Sequence, residues 1–241
     1  MSKTSKGTSK GTSIPHRILP GSTIGILGGG QLGRMMALAG RAMGYRFVTL
    51  DPTPDSPCGQ VADRQVVAAY DDQEAARTLA QQSDVITYEF ENVDSDVAAK
   101  LAEDSLVPQG SELLYTTQHR LREKQALVRA GIPVAPYRQV DSVEAMVAAV
   151  SELGLPAVLK TCSGGYDGKG QEVIRSEAQA AAAYERLAAG GTELVLEKYI
   201  RFDKEISVIA ARTPSGEVRT FPTAENVHVE NILHLSVVPA R

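Results

Sequence analysis

Two glycine-rich stretches in this chain are of a kind that holds phosphate. The first reads TIGILGGGQLGRM from Thr23 to Met35, with Gly28, Gly30 and Gly33 spaced as G-x-G-x-x-G between a β-branched run and an apolar helical run. The second, SGGYDGKGQ from Ser163 to Gln171, lies far downstream. Glycines leave backbone N–H groups free to face an anion, whether at a helix N-terminus or at a hairpin tip. Asp51 ends the apolar run that follows the first loop, where a dinucleotide site places its ribose carboxylate. The PTPDSP turn after Asp51 makes no obvious ribose pocket, however. Three uses therefore stay open for the first loop: NAD, another small anionic ligand, or a tight structural turn.

The second loop has more chemistry around it. AVLK delivers Lys160 at the end of an extended run just before it, and Lys169 within it adds a second ammonium. ELVLEKYI brings Glu197 and Lys198 to the end of another run, with Glu205 a short distance on. Antiparallel pairing of the flanking runs would make the loop a hairpin tip; by composition alone an ordinary flexible hairpin is equally admissible. In YEFENV, Glu89 and Glu91 stand just after the strand Val85–Thr87, where open α/β sheets present ligand groups, although a solvated acidic loop reads the same way. His119 and His234 have no partner cluster nearby in sequence and read as surface or core histidines. Ser163 has no recognisable triad and neither cysteine falls in a nucleophile motif, so covalent catalysis by the protein is not expected.

The elements that must position these residues follow from periodicity. The first half alternates: a strand Ile24–Leu27, a helix from about Leu32 to Met43, a strand Phe47–Leu50, a short strand around Val66–Ala68, a helix Glu74–Gln82 and the strand Val85–Thr87. Such alternation implies a doubly wound parallel sheet with right-handed crossovers. Pro108, Gly110 and the polar run Thr116–His119 mark its exit. A helix Arg120–Ala130, the extended VAPYRQV, a helix Ser142–Leu153 N-capped by Ser142, the strand AVLK, a returning strand Glu172–Ile174, a helix Ser176–Ala188 and the strand ELVLEKYI come next. Three further extended runs, EISVIAAR, EVRTFPT and NILHLSVV, point to antiparallel pairing, with TPSG as a turn between the first two. The fold class is α/β: a parallel-sheet domain over 22–117 and an α+β domain over 118–241, behind a flexible tail over 1–21.

Composition bounds the rest. At 241 residues with 43% hydrophobic content the chain is large enough for one or two real cores. The net charge of −4, with basic residues scattered among acids, gives a nucleic-acid partner no electrostatic footing. No apolar run approaches the ~20 residues that span a bilayer, so no membrane is expected. Cys58 and Cys162 lack metal-ligand spacing, and no secretory leader precedes them, which suits a reduced, cytoplasmic protein.

Taken in order, Lys160, GGYDGKGQ, ELVLEKYI and DKEISV resemble the ATP-grasp enzymes. GILGGGQLGRM, YEFENV and ENVHVENIL resemble one branch of that family, which carboxylates aminoimidazole ribonucleotide in purine synthesis. The resemblance implies a pre-ATP-grasp domain followed by an ATP-grasp domain. It implies that Lys160 and Lys169 act at the phosphates as the catalytic cations, beneath a loop of Gly165, Tyr166, Asp167, Gly168, Lys169, Gly170 and Gln171. It places Glu197, Lys198, Tyr199 and Ile200 along the adenine, Glu205 on the ribose, and Arg120 and His228 at further ATP contacts. It turns the first glycine loop toward the acceptor, so that Gln31, Leu32 and Glu89 bind substrate and NAD does not. The implied reaction phosphorylates bicarbonate with ATP and passes the carboxyl group to aminoimidazole ribonucleotide. The family chain continues past Arg241 into strands carrying Mg2+ ligands and a small further domain, so the sequence reads as a fragment with no metal ligands of its own, from a protein expected to be a homodimer. A formyl-transferring ATP-grasp enzyme, an NAD-dependent oxidoreductase and a non-catalytic nucleotide-binding module are the competing readings.

Overall fold

The computed structural model describes residues 17–165 and 169–241. The chain divides into two compact units, Met1–Pro108 and Gln109–Arg241. The first contains β1 (Thr23–Leu27), α1 (Gln31–Ala42), β2 (Arg46–Asp51), β3 (Arg64–Val67), α2 (Gln73–Gln81), β4 (Val85–Tyr88) and α3 (Ser95–Asp104). Its four strands are parallel in the order β3-β2-β1-β4. Alternation along β1 decides which helix covers which face. Ile26 packs with Phe47, Cys58 and Ala37 of α1, whereas a side chain at Gly25 would strike Leu79 of α2 and Ser83 just beyond it. The two helices thus lie on opposite faces, as a doubly wound sheet requires. The chain runs outward from β1 through β2 to β3 and then crosses back to β4, so the strand order reverses between β1 and β4. That reversal opens the sheet beyond the strand ends Leu27 and Tyr88, where ligands of such sheets bind.

The second unit begins with α4 (Glu112–Thr117) and α5 (Arg120–Arg129), then β5 (Tyr137–Val140), α6 (Val143–Leu153), β6 (Ala157–Thr161), β7 (Gln171–Ile174), α7 (Glu177–Leu187) and β8 (Leu194–Lys198). Its main sheet is antiparallel in the order β5-β8-β6-β7. Leu159, Leu196 and Ile174 point to one face and pack with Met146 and Val150 of α6 and Ala183 of α7. Their alternates point the other way, where Val195 packs with Leu121 of α5, Tyr137 and Cys162. One face of the sheet is a sealed core and the other carries Lys160 and Glu197. Ser142 caps α6 by accepting a hydrogen bond from the Ala145 N–H at 3.0 Å, and Ser176 with Gln179 forms a capping box on α7.

The chain then enters β9 (Glu205–Ser207), β10 (Ala210–Arg212), β11 (Val218–Thr220), β12 (Ala224–Val229) and β13 (Ile232–Val237). These strands depart from the sequence expectation. EISVIAAR is not one strand: β9 pairs with β12 in the sheet β13-β12-β9, whereas β10 pairs with β11, across the expected TPSG turn. The two halves of the run serve different sheets and must part between them. AENVHV, seen only as a motif, is β12, and the helices α3 and α4 were not anticipated from SDVAAKLAED and ELLYTT. Elsewhere the elements fall where expected, with ends shifted by up to three residues. Residues 1–16 of the expected tail lie outside the described residues, and its last residues are tied down: the Tyr45 hydroxyl donates to the Ile18 carbonyl at 3.0 Å and the Gly21 N–H to Gly44 at 2.8 Å. Among the described residues no helix is long and apolar enough to cross a membrane.

Candidate functional site

In the first unit the switch point brings Glu89 against the first glycine loop. Glu89 follows β4, with its own N–H on the Leu27 carbonyl at 3.1 Å. Its carboxylate accepts from the Gly30 N–H at 2.6 Å and from the Gly33 N–H. Those donors sit at the N-terminus of α1, where a bound phosphate would otherwise be received. Gly28 has φ of +109°, and a side chain there would run into Glu89, so the loop closes around this carboxylate only because glycine occupies the turn. Asp51 is likewise engaged inside the protein. It is 6% exposed and accepts from the Gly29 N–H at 2.8 Å, the Thr53 N–H at 2.8 Å and the Tyr70 hydroxyl at 2.7 Å. Burial alone would push its pKa up, but these hydrogen bonds outweigh it and hold the carboxyl below the usual range. Both features of an NAD site, the open helix end and the ribose carboxylate, are thus filled by the chain itself. Gln31 and Leu32 remain exposed on the first turn of α1, beside Glu89.

In the second unit β6 and β7 form the expected hairpin, with Lys160 opposite Gln171. Tyr166, Asp167 and Gly168 lie outside the described residues; Gly165, Lys169 and Gly170 flank them. The root of the hairpin is closely packed. The Thr161 N–H donates to the Gly170 carbonyl at 2.8 Å, and Gly170 has φ of +68° with no room for a Cβ, which would come within 2.6 Å of the Thr161 hydroxyl. Arg120 lies beneath, its Nε donating to the Thr161 carbonyl at 3.1 Å and its backbone N–H to the Cys162 carbonyl at 2.8 Å.

Below the hairpin a cationic centre is built on alternate strand positions. Lys160 Nζ lies 2.9 Å from Glu197 Oε2, and Lys124 Nζ, from α5, lies 3.1 Å from Glu197 Oε1. The side chains are largely buried, Glu197 at 10% exposed, Lys124 at 12% and Lys160 at 21%. Burial works to raise the Glu197 pKa, but the two ammonium groups hold its carboxyl below the ordinary range. Two cations share one anion, so the cluster carries an excess positive charge suited to phosphate. Lys198, Tyr199 and Ile200 leave β8 exposed, while the backbone N–H groups of Lys198 and Tyr199 bind the carbonyls of Pro136 and Pro156. The pairing of β9 with β12 brings Glu205 and His228 together, with His228 Nδ1 at 2.8 Å from Glu205 Oε2. A cleft of about 490 Å3 between α2 and α3 is lined by none of these residues.

One cluster was missed in the sequence. His119, at the start of α5, has its Nε2 at 2.7 Å from Glu193 Oε2, 74 positions away, and Cys162 stands beside them. His119 therefore has a partner cluster, although not one near it in sequence. The Cys162 thiol is pushed up to about 11 by burial and by the Glu193 charge, which removes it as a nucleophile.

Comparison with known proteins finds a family for each part of the chain. The model of the ribonucleotide synthetase preATP-grasp domain matches residues 21–118, and that of the ATP-grasp domain matches 125–241. These matches define an ATP-grasp protein with the preATP-grasp domain of a ribonucleotide synthetase ahead of it. N5-carboxyaminoimidazole ribonucleotide synthase of Bacillus subtilis is 55% identical over 224 residues, 93% of this chain and 58% of the relative. A crystal structure of an N5-carboxyaminoimidazole ribonucleotide synthetase in complex with ADP superposes with a TM-score of 0.88 at 56% identity, covering 95% of this chain and 60% of that one. The synthase of Aspergillus clavatus, solved with ADP and 5-aminoimidazole ribonucleotide, gives a TM-score of 0.83 at 30% identity over 91% of this chain and 57% of that one. The chain belongs to the N5-carboxyaminoimidazole ribonucleotide synthase family, and it spans about three fifths of the length of these relatives.

Proposed function

We propose that this chain carries the nucleotide- and acceptor-binding parts of an ATP-dependent carbon–nitrogen ligase that carboxylates 5-aminoimidazole ribonucleotide with bicarbonate in purine biosynthesis. The observation that carries the reading is the Lys160–Glu197–Lys124 cluster under the glycine hairpin, a preformed cationic seat within the segment that matches the ATP-grasp domain. In the reaction a bicarbonate oxygen attacks the γ-phosphorus of ATP and ADP leaves, giving carboxyphosphate. The amine of the acceptor then attacks the carboxyl carbon, phosphate departs and the nitrogen loses a proton.

Lys160 sets an ammonium on the α/β phosphates, and Arg120 and Lys169 add charge at the hairpin. The hairpin itself covers the phosphates and keeps water from the acyl phosphate. Glu197, Lys198, Tyr199 and Ile200 line the adenine, and Glu205, oriented by His228, takes the ribose. Gln31, Leu32 and Glu89 receive the acceptor, with Glu89 serving also as the brace of its own loop. Magnesium, which ATP chemistry draws on, demands oxygen ligands. Among the described residues the one grouping of three ligand-type side chains contains sulfur and nitrogen, and Glu205 and Glu225 are ion-paired, so these residues do not fit the ion. We place the protein in the cytoplasm as a homodimer.

Calorimetric titration of the chain tests the binding reading. ADP is expected to bind, Lys160→Met to weaken it at least about tenfold through loss of a charge-assisted contact, and NAD to give no heat. NAD binding with no response to ADP would overturn the proposal. Bicarbonate-dependent loss of aminoimidazole ribonucleotide in the presence of ATP tests the chemistry separately.

A further inference from the structure

We propose that His119, Cys162 and Glu193 form a binding site for a thiophilic divalent cation of the Zn2+ type at the root of the glycine hairpin. The ligand atoms of the three residues all lie within 4.8 Å of one another. In a tetrahedral zinc site, with bonds of ~2.0–2.3 Å, neighbouring ligand atoms stand roughly 3.3–3.8 Å apart, so small side-chain movements complete the geometry. The donor set of nitrogen, sulfur and carboxylate oxygen is one that zinc favours and magnesium does not.

The ligating nitrogen of His119 is Nε2, which lies 2.7 Å from Glu193 Oε2 and turns the ring toward that carboxylate; a bound ion would take the place of the proton between them. The three segments are also stitched together by main chain: the Cys162 N–H donates to the Glu193 carbonyl at 2.8 Å, and the N–H of Arg120, next to His119, donates to the Cys162 carbonyl at 2.8 Å. The ligands are held in place before any ion arrives.

Charge balance agrees. A thiolate and a carboxylate neutralise a divalent cation, and the ion displaces the thiol proton as it binds. Because Cys162 directly follows the Thr161 that anchors Gly170, the ion would fasten the foot of the hairpin. The inference does not rest on the carboxylation reaction, since it concerns residues with no assigned part in it.

Titration of the reduced, metal-free chain with Co2+ as the probe tests the site. A thiolate-to-cobalt charge-transfer band should appear, saturate at a single equivalent and vanish when Zn2+ is added. It should be lost in Cys162→Ser, survive in Cys58→Ser, and require at least about tenfold more metal in His119→Ala. Absence of the band, its survival in Cys162→Ser, or its loss in a folded Cys58→Ser would overturn the proposal. Should circular dichroism show that Cys162→Ser does not fold, His119→Ala and Glu193→Gln decide: unchanged affinity in both refutes the site, and a tenfold loss in either supports it.

Discussion

Glu197 is the residue on which the second site turns. Its folded pKa is depressed, so its contribution to stability is present above the unfolded carboxylate value and is lost as pH falls through the folded value. The second unit should therefore weaken on acidification below about pH 4.3. Lys160→Met removes the strongest attraction on that carboxylate. It is expected to cost about 1–3 kcal/mol at neutral pH and to move the onset of acid unfolding upward, because Lys124 alone then holds the charge. Urea denaturation from pH 3 to 8, followed by circular dichroism, measures both effects; an unaltered acid limb would show that the pair contributes nothing. Such partnerships were only partly legible in the sequence. Lys160 and Glu197 stood out as strand-end charges, but nothing local showed that they would neutralise each other, or that Lys124 would join them. Glu89 stood out for its place after a strand, and its role as a brace for Gly30 and Gly33 depends on contacts across more than fifty positions.

Among the elements, the β6–β7 hairpin depends on its narrow root. Gly170→Ala places a Cβ where the backbone is left-handed and the Thr161 hydroxyl already stands. A cost of about 1 kcal/mol or more follows, and since the strain falls on the hairpin and not on the sealed face of the sheet, ADP affinity should fall by more than global stability does. Titration calorimetry beside a thermal melt separates the two, and equal losses would argue that the hairpin is only a structural turn. At this scale the sequence pattern was informative wherever burial is deep, as in β1, β6, β8 and α6. It failed where burial is slight. β12 mixes Glu225, Asn226 and His228 with Val227 and Val229 on a mostly exposed sheet, and α3 relies on Asp94, whose carboxylate accepts from the Asp96 and Val97 N–H groups, more than on a long apolar stripe.

At the scale of the molecule the burial is uneven. The buried clusters belong to the first unit and to the α5–β8 portion of the second, while Ile206, Ile209, Phe221, Ile232, Leu233 and Leu235 on and around β9–β13 are each at least half exposed. Apolar surface of this extent favours contact with something. The chain is expected to bind a hydrophobic dye when folded and to be cleaved by protease within residues 199–223 before the α/β portions are touched; uniform resistance along the chain would contradict it. The units divide after Pro108, nine residues before the boundary expected at residue 117, because α4 (Glu112–Thr117), unforeseen in the sequence, belongs to the second unit. The Lys160–Glu197–Lys124 centre has one more consequence at this scale. It is a small positive island in a molecule whose formal charge is −4, so a polyphosphate is repelled from afar and welcomed only on arrival. Added salt, with a screening length of ~8 Å at physiological strength, mutes the distant repulsion more than the close attraction. Under the proposed function a nucleotide would reach this cluster by unguided diffusion, and moderate ionic strength should not slow its binding.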